Sequence, residues 1–346
     1  MGEGLRVLIV TPTYLPDITG NAITAHRLYK GLRDRGIEVQ VVQSSEVQKL
    51  KDSGSYSELR TLNSELVVHA LHALKGGVPT MEMAGRFGVP FVVTITGTDL
   101  NIDLIQLENL QILNVLKKAE RVVVYSRLAK ERLSSSLPSI SEKIKVIRPS
   151  VDIGRPKGKR TLPAGFNFLL PSGIRKVKDP AFAIKPLETL KKEFPAINLN
   201  IVGPVLDDVV WKNLSNAMKG KDWISYMKVS HDEIPDIYDS ADIVLNTSIS
   251  EGLSNAILEG MHFGKAVLAS DCDGNRSVVS DGHDGILYHQ GDEEDFIRKA
   301  RSLIIDAGLR ERLGRAAKEK VVREYSLGAE IEGHIRLYQD VLQGIG

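Results

Sequence analysis

Short apolar runs bounded by turn residues alternate with longer stretches of helical period along this chain, and that alternation constrains its fold more than any other feature. The first series holds RVLIV (6–10), EVQVV (38–42), ELVVHA (65–70), FVVTIT (91–96) and RVVVYS (121–126). The second holds FNFLLPSG (166–173), INLNIVG (197–203), DIVLNTS (242–248) and KAVLAS (265–270). Runs of this kind suit strands buried on both faces of a parallel sheet, with helices as crossovers. Two series predict an α/β chain of two Rossmann-like domains, and 346 residues suffice for two cores. The division falls in IGRPKGKRTLP (153–163), where Gly, Pro and basic residues interrupt both periods. This gives an N-terminal domain over 1–155, a C-terminal domain over 156–325 and a terminal helix over 326–346.

Charge and cysteine usage remove several function classes. A formal net charge of +1 provides no general attraction to nucleic acid or anionic lipid, so any phosphate binding must be local. Cys272 is the single cysteine, which excludes an internal disulfide and agrees with a reducing compartment. The first residues read as a short strand followed by Thr-Pro, not as a signal peptide, and no apolar run of about 18 residues is present to span a bilayer. A cytoplasmic protein is expected, with peripheral membrane contact left open. Neither GxGxxG nor a Walker A pattern occurs, which argues against a dinucleotide oxidoreductase and a P-loop NTPase.

The chemistry concentrates in LNTSISEGLSNAILEGMHFG (245–264). Ser254 is placed to cap a helix whose core-facing positions include Ile257, Leu258 and Met261. Backbone N–H groups near Asn255 and Ala256 would then face an anion such as a diphosphate. Glu251 precedes that start, and Glu259 leans back toward it, within reach of ribose hydroxyls of a bound nucleotide. Two acids flanking a helix start also suit plain stabilisation of its positive end. A second element, Ser172-Gly173-Ile174-Arg175-Lys176-Val177-Lys178-Asp179, follows a predicted buried strand. Its cations could neutralise a diphosphate leaving group, arginine as a planar fork and lysine as a point charge. Away from a strand end, the same run would read as a solvated loop.

Glu251 and Glu259 resemble the Glu-x7-Glu motif of the GT-B glycosyltransferases of family 4, with Gly252, Leu253 and the strand after Gly264 also in register. TGNAITAHR (19–27), TGTDLN (96–101) and SGIRKVKDP (172–180) extend the resemblance from about residue 5 to 340, in particular toward the glycosyltransferase-1-domain-containing subgroup. It implies two Rossmann-like domains facing a central cleft, a terminal helix crossing back to the first domain, and a retaining, metal-independent sugar transfer. The donor would be a nucleotide sugar, UDP-linked in preference to GDP-linked, bound as a co-substrate with no further cofactor. The acceptor hydroxyl, on a saccharide, a lipid or a small molecule, is not identified.

By that resemblance Glu251 faces the donor sugar and Glu259 the ribose, while Lys178 matches the family lysine of the diphosphate site. The usual arginine position falls on Gly173, and Arg175 is assigned its role. Glu251, Arg175 and Lys178 form the catalytic set. Gly20, Asn21, Gly173, Gly252, Leu253, Ser254, Asn255, Ala256 and Glu259 complete the donor contacts. Ser254 stands where the family has glycine, and a side chain there is expected to narrow the room around the sugar. His72, Lys75, Thr98 and Asp99 are candidates for the acceptor side, although Asp99 equally suits a helix cap. Thr96 replaces a family histidine. Asp271-Cys272-Asp273 has the spacing of a metal-binding acid pair, but its place after a C-domain strand assigns it no metal. A GT-B epimerase or a catalytically weak nucleotide-sugar-binding protein remains an alternative, the latter because of Gly173 and Thr96.

Overall fold

Val, Ile and Leu dominate the predicted runs, and in the computed structural model they form strands buried on both faces. The structure describes residues 4–16, 19–47, 65–96, 110–230 and 232–344. It divides into two units, Met1–Ser150 with Tyr325–Gly346, and Val151–Glu324.

In the first unit the strands are β1 (Arg6–Thr11), β2 (Glu38–Gln43), β3 (Leu66–Leu71), β4 (Phe91–Thr94), β5 (Arg121–Val124) and β6 (Ile144–Val146). They pair in parallel in the order β2-β1-β3-β4-β5-β6. Helix Leu327–Leu342 belongs to this unit, where Ile331, Leu337 and Tyr338 join the core of Val7, Ile9, Leu28 and Leu32.

The second unit repeats the plan with β7 (Phe166–Pro171), β8 (Ile197–Val202), β9 (Ile224–Met227), β10 (Ile243–Asn246), β11 (Ala266–Ser270) and β12 (Ile286–Tyr288), ordered β12-β11-β10-β7-β8-β9. All its pairs are parallel. Each unit is therefore Rossmann-like. The sequence reading lacks β6, β9 and β12, which are edge strands of three or four residues.

Strand order fixes where a site can form. β7 lies between β10 and β8, so the connection leaving β7 runs to β8 on one side and the connection leaving β10 runs to β11 on the other. The loops after their carboxyl ends are neighbours at this reversal, which is where open parallel sheets bind ligands. The same reversal sets the loops after β1 and β3 side by side in the first unit.

Candidate functional site

In the second unit the loop after β10 is stitched to the loop after β7. Ile249 N–H donates to Val177 O at 2.8 Å, and Thr247 Oγ1 donates to Lys178 O at 2.9 Å. This brings Lys178 onto Glu251, where its ammonium pairs with Oε1. Ser248 Oγ and Asn246 Nδ2 donate to the same oxygen at 2.7 and 3.2 Å. Glu251 is 8% exposed. Burial alone would raise its pKa, but the charge and hydrogen bond of Lys178, with the bonds from Ser248 and Asn246, outweigh it and hold the carboxyl below its ordinary range. The result is a buried, ionised carboxylate in contact with the Lys178 ammonium.

Immediately after it, helix Asn255–His262 begins as expected from Ser254, whose backbone is extended and whose Oγ accepts from Ile257 N–H at 3.4 Å. The N–H groups of Asn255 and Ala256 have no acceptor within the helix. The Ser254 side chain is turned into the protein. A cap hydroxyl must turn back over the first turn, and here it is 2% exposed and also accepts from Asn246 Nδ2 at 3.0 Å. Gly252 and Leu253 are half-buried in the loop between Glu251 and the cap. One turn into the helix, Glu259 accepts a 2.7 Å bond from Tyr238 Oη. Burial and the adjacent Glu259 push the Tyr238 phenol well above its ordinary pKa, so it stays a donor and orients that carboxylate.

Arg175 is half-buried in the same loop as Lys178, and among the described residues its Nε is buried without a hydrogen-bond acceptor. A guanidinium left this way is suited to an incoming anion. At Gly173 an added Cβ would meet Leu206 Cδ1 at 2.8 Å, so the position is crowded by an apolar side chain. Asp179, next to Lys178, has a left-handed backbone with φ 39°, a sparsely populated conformation for a residue with a Cβ. Burial raises its carboxyl pKa.

Asp271 and Asp273 both face Arg276, at 3.4 and 2.9 Å, and among the described residues no cluster of three or more His, Cys, Asp or Glu could hold a metal. The residues between and after them matter for another reason. At Gly274 an added Cβ would lie 2.4 Å from Glu251 Cβ and 2.5 Å from Glu251 O, so only glycine admits Glu251 here. Gly274→Ala is expected to displace Glu251 and slow any reaction it serves by on the order of a hundredfold. Initial rates measured beside a folding check by circular dichroism test this, and unchanged rates would mean the contact does not set the carboxylate.

In the first unit, Thr19 caps helix Gly20–Arg33 by accepting from Ala22 N–H at 3.2 Å. Gly20 is exposed with nothing within 4 Å of an added Cβ, and Asn21 is half-buried. Packing does not demand glycine at 20, which leaves space for a ligand. His72 follows β3 with φ 74° and is 3% exposed. Its Nδ1 lies 3.3 Å from the N–H groups of both Leu74 and Lys75. Those groups can only donate, so Nδ1 accepts and that side of the ring is committed to the turn. Lys75 is exposed. Thr98 and Asp99 lie outside the described residues.

Comparison with known proteins adds independent information. Residues 161–320 match the family model described as Glycosyl transferases group 1. Glycosyltransferase 1 domain-containing protein 1 of Xenopus tropicalis is 26% identical over 339 residues, spanning 89% of this chain and 90% of its own. Anabaena Alr3699/HepE, solved in complex with UDP-glucose, is similar with a TM-score of 0.78 at 16% identity, over 97% of this chain and 99% of that one. Sucrose-phosphate synthase from Thermosynechococcus elongatus reaches a TM-score of 0.82 at 15% identity, over 98% and 100%. At these identities the structural likeness establishes a common fold.

Proposed function

We propose that this chain is a GT-B glycosyltransferase of the glycosyl transferases group 1 family, whose model its residues 161–320 match. It transfers a sugar, with retention of configuration, from a UDP-sugar to a hydroxyl acceptor. The observation that carries this reading is the meeting of Lys178 and Glu251 beside a helix start, at the strand-order reversal of the second unit. UDP is preferred as the carrier because Anabaena Alr3699/HepE, with the same fold, binds UDP-glucose.

In this reading the donor diphosphate draws Lys178 from Glu251 and takes the Nε of Arg175 and the N–H groups of Asn255 and Ala256 as further partners. Glu259 accepts from the ribose. Glu251, relieved of its cation, faces the sugar and stabilises its developing positive charge without bonding to it. The anomeric carbon loses its bond to the diphosphate oxygen, which keeps the electron pair. The acceptor oxygen bonds to the same face, and its proton passes to the departing diphosphate. Cationic side chains and backbone donors carry the leaving-group charge, so transfer is expected to need no divalent ion.

Ligand binding to the folded state raises its melting temperature, by about 2.7 kcal/mol of stabilisation at a hundred times Kd. UDP and UDP-glucose are expected to do so more than GDP and GDP-mannose at equal concentration. UDP release across a panel of acceptor alcohols and saccharides should then persist in EDTA. Equal shifts with GDP would remove the base assignment, and an EDTA-sensitive reaction restored by Mn²⁺ would overturn this account of the leaving group. Epimerised donor formed without acceptor would replace transfer as the activity.

A further inference from the structure

Asn246 is the last residue of β10 and is 4% exposed, directly after the apolar Ile243, Val244 and Leu245. A buried amide costs free energy unless its groups are paired, and here the pairing is specific. Asn246 Oδ1 accepts from Ser248 N–H at 2.9 Å. That N–H can only donate, so the amide orientation follows from chemistry, and Nδ2 must be the side turned to Glu251 Oε1 and to Ser254 Oγ. Asn275, fully buried in the short helix Asp273–Arg276 after β11, braces it by donating from Nδ2 to Asn246 Oδ1 at 3.1 Å and to Ser270 O at 2.9 Å. Asn275 Oδ1 has no partner among the described residues. An unsatisfied buried acceptor is unfavourable for stability, which points to a role for the brace other than folding.

We propose that Asn246, braced by Asn275, is a positioning residue for sugar transfer: one amide sets the carboxylate of Glu251 and the cap hydroxyl of Ser254 at a fixed spacing. Glu251 is thereby held in register with the N–H groups that receive the diphosphate, so the two ends of the scissile bond are aligned by a single side chain. The inference rests on the reading of Glu251 as the sugar-facing carboxylate. Ser254, at a position where a side chain would otherwise be an encumbrance, becomes the second anchor of the amide.

Asn246→Asp tests this with little change of shape. It keeps the oxygen that serves Ser248 N–H and Asn275, and replaces only the donor facing Glu251 and Ser254. Two carboxylates in that contact repel, which raises the proton affinity of the pair, and the amide donor that fixes Glu251 and Ser254 is lost. Lys178 and Cys272 also act electrostatically with Glu251, and both are unchanged in the variant.

With UDP-glucose as donor, kcat is expected to fall about tenfold or more, with its acid limb raised by about one pH unit or more. UDP affinity by calorimetry should stay within about threefold and the melting temperature within about 3 °C. Unchanged kcat and acid limb, or parallel losses of UDP binding and thermal stability, would overturn the proposal. Asn246→Leu, of the same branched shape but without donor or acceptor, should show the same split between kcat and UDP affinity and is the second variant to measure if the aspartate variant does not fold. Glu251→Gln separates the two ideas. If that variant keeps full kcat, the assignment of Glu251 itself is wrong; if it loses kcat while Asn246→Asp keeps it, only the positioning role is wrong.

Discussion

Replacing Glu251 by Gln is expected to slow sugar transfer about 10- to 150-fold, the rate equivalent of one hydrogen bond to a charged group, while UDP affinity stays level or rises. The asymmetry follows from the ion pair. Lys178 is held by Glu251, so a diphosphate must compete with that carboxylate for it. Gln removes the competitor and leaves the diphosphate its cation. The sugar, by contrast, loses the negative charge that matters most as its own positive charge develops, which lowers kcat without weakening ground-state binding.

Glu259→Gln should behave in the opposite sense, weakening UDP and UDP-sugar alike by no more than about 1.5–3 kcal/mol. Its carbonyl still accepts from Tyr238, so the helix is not disturbed. Calorimetry with UDP and initial rates with the full donor distinguish the two variants. If Glu251→Gln lost UDP binding and Glu259→Gln lost only turnover, the two roles would be reversed.

The part of this site legible in the sequence is the part that is local in the chain. Glu251, Ser254 and Glu259 lie within one loop and one helix, where capping and helical geometry relate them directly. Asn246 also lies close by, but a strand-end asparagine carries no signal until the chain turns back over it. Tyr238 comes from helix Ile234–Asp239, and Gly274 and Asn275 from the short helix Asp273–Arg276 after β11. Only the parallel sheet brings these segments onto the glutamates. Gly274 was further hidden beside Asp271 and Asp273, whose charge invites a metal reading while the crowding of Glu251 falls on the neighbour.

The fold shows the same division. β1, β3, β4, β5, β7, β10 and β11 are nearly continuous buried runs and stand out. β9 has one buried residue followed by three half-buried ones, and β6 mixes buried, exposed and half-buried positions. These strands have only three or four residues and lie at sheet edges, covered on fewer sides, so their composition declares them weakly. The longer edge strand β2 is still legible through Val39, Val41 and Val42.

A prediction of similar size concerns stability. Glu330, on helix Leu327–Leu342, receives Arg27 Nε and Nη2 at 2.8 and 2.9 Å and Ser150 N–H and Oγ at 2.8 and 2.6 Å. The side chains of Arg27 and Glu330 are 5% and 1% exposed, although 303 residues separate them. Glu330→Ala is expected to destabilise the first unit by about 3–5 kcal/mol, because it removes the buried carboxylate that accepts two bonds from Arg27 and two from Ser150. Arg27→Met with Glu330→Leu should lose less than the sum of the two single variants, since no unpaired charge then remains. Denaturation followed by circular dichroism measures all of these. Additive losses, or a loss below about 1 kcal/mol, would show that the pair contributes no more than a surface contact.

Acid should act on the same network in two stages. Burial drives His69 well below its ordinary pKa, with the charge of His334 adding to the shift, and burial lowers His334 as well. Both favour the neutral form in the folded chain, so their contribution is complete above the unfolded pKa of about 6.5 and declines as pH falls below it. Burial would raise Glu330, but the charge and hydrogen bonds of Arg27, with His334 and Ser150, hold it below its ordinary range. Its contribution is complete above about 4.3 and disappears as pH falls through the lower folded value. Glu330→Ala should therefore abolish the lower stage and retain the upper one. A variant that lost stability equally at every pH would show that Glu330 acts by packing, and not through its charge.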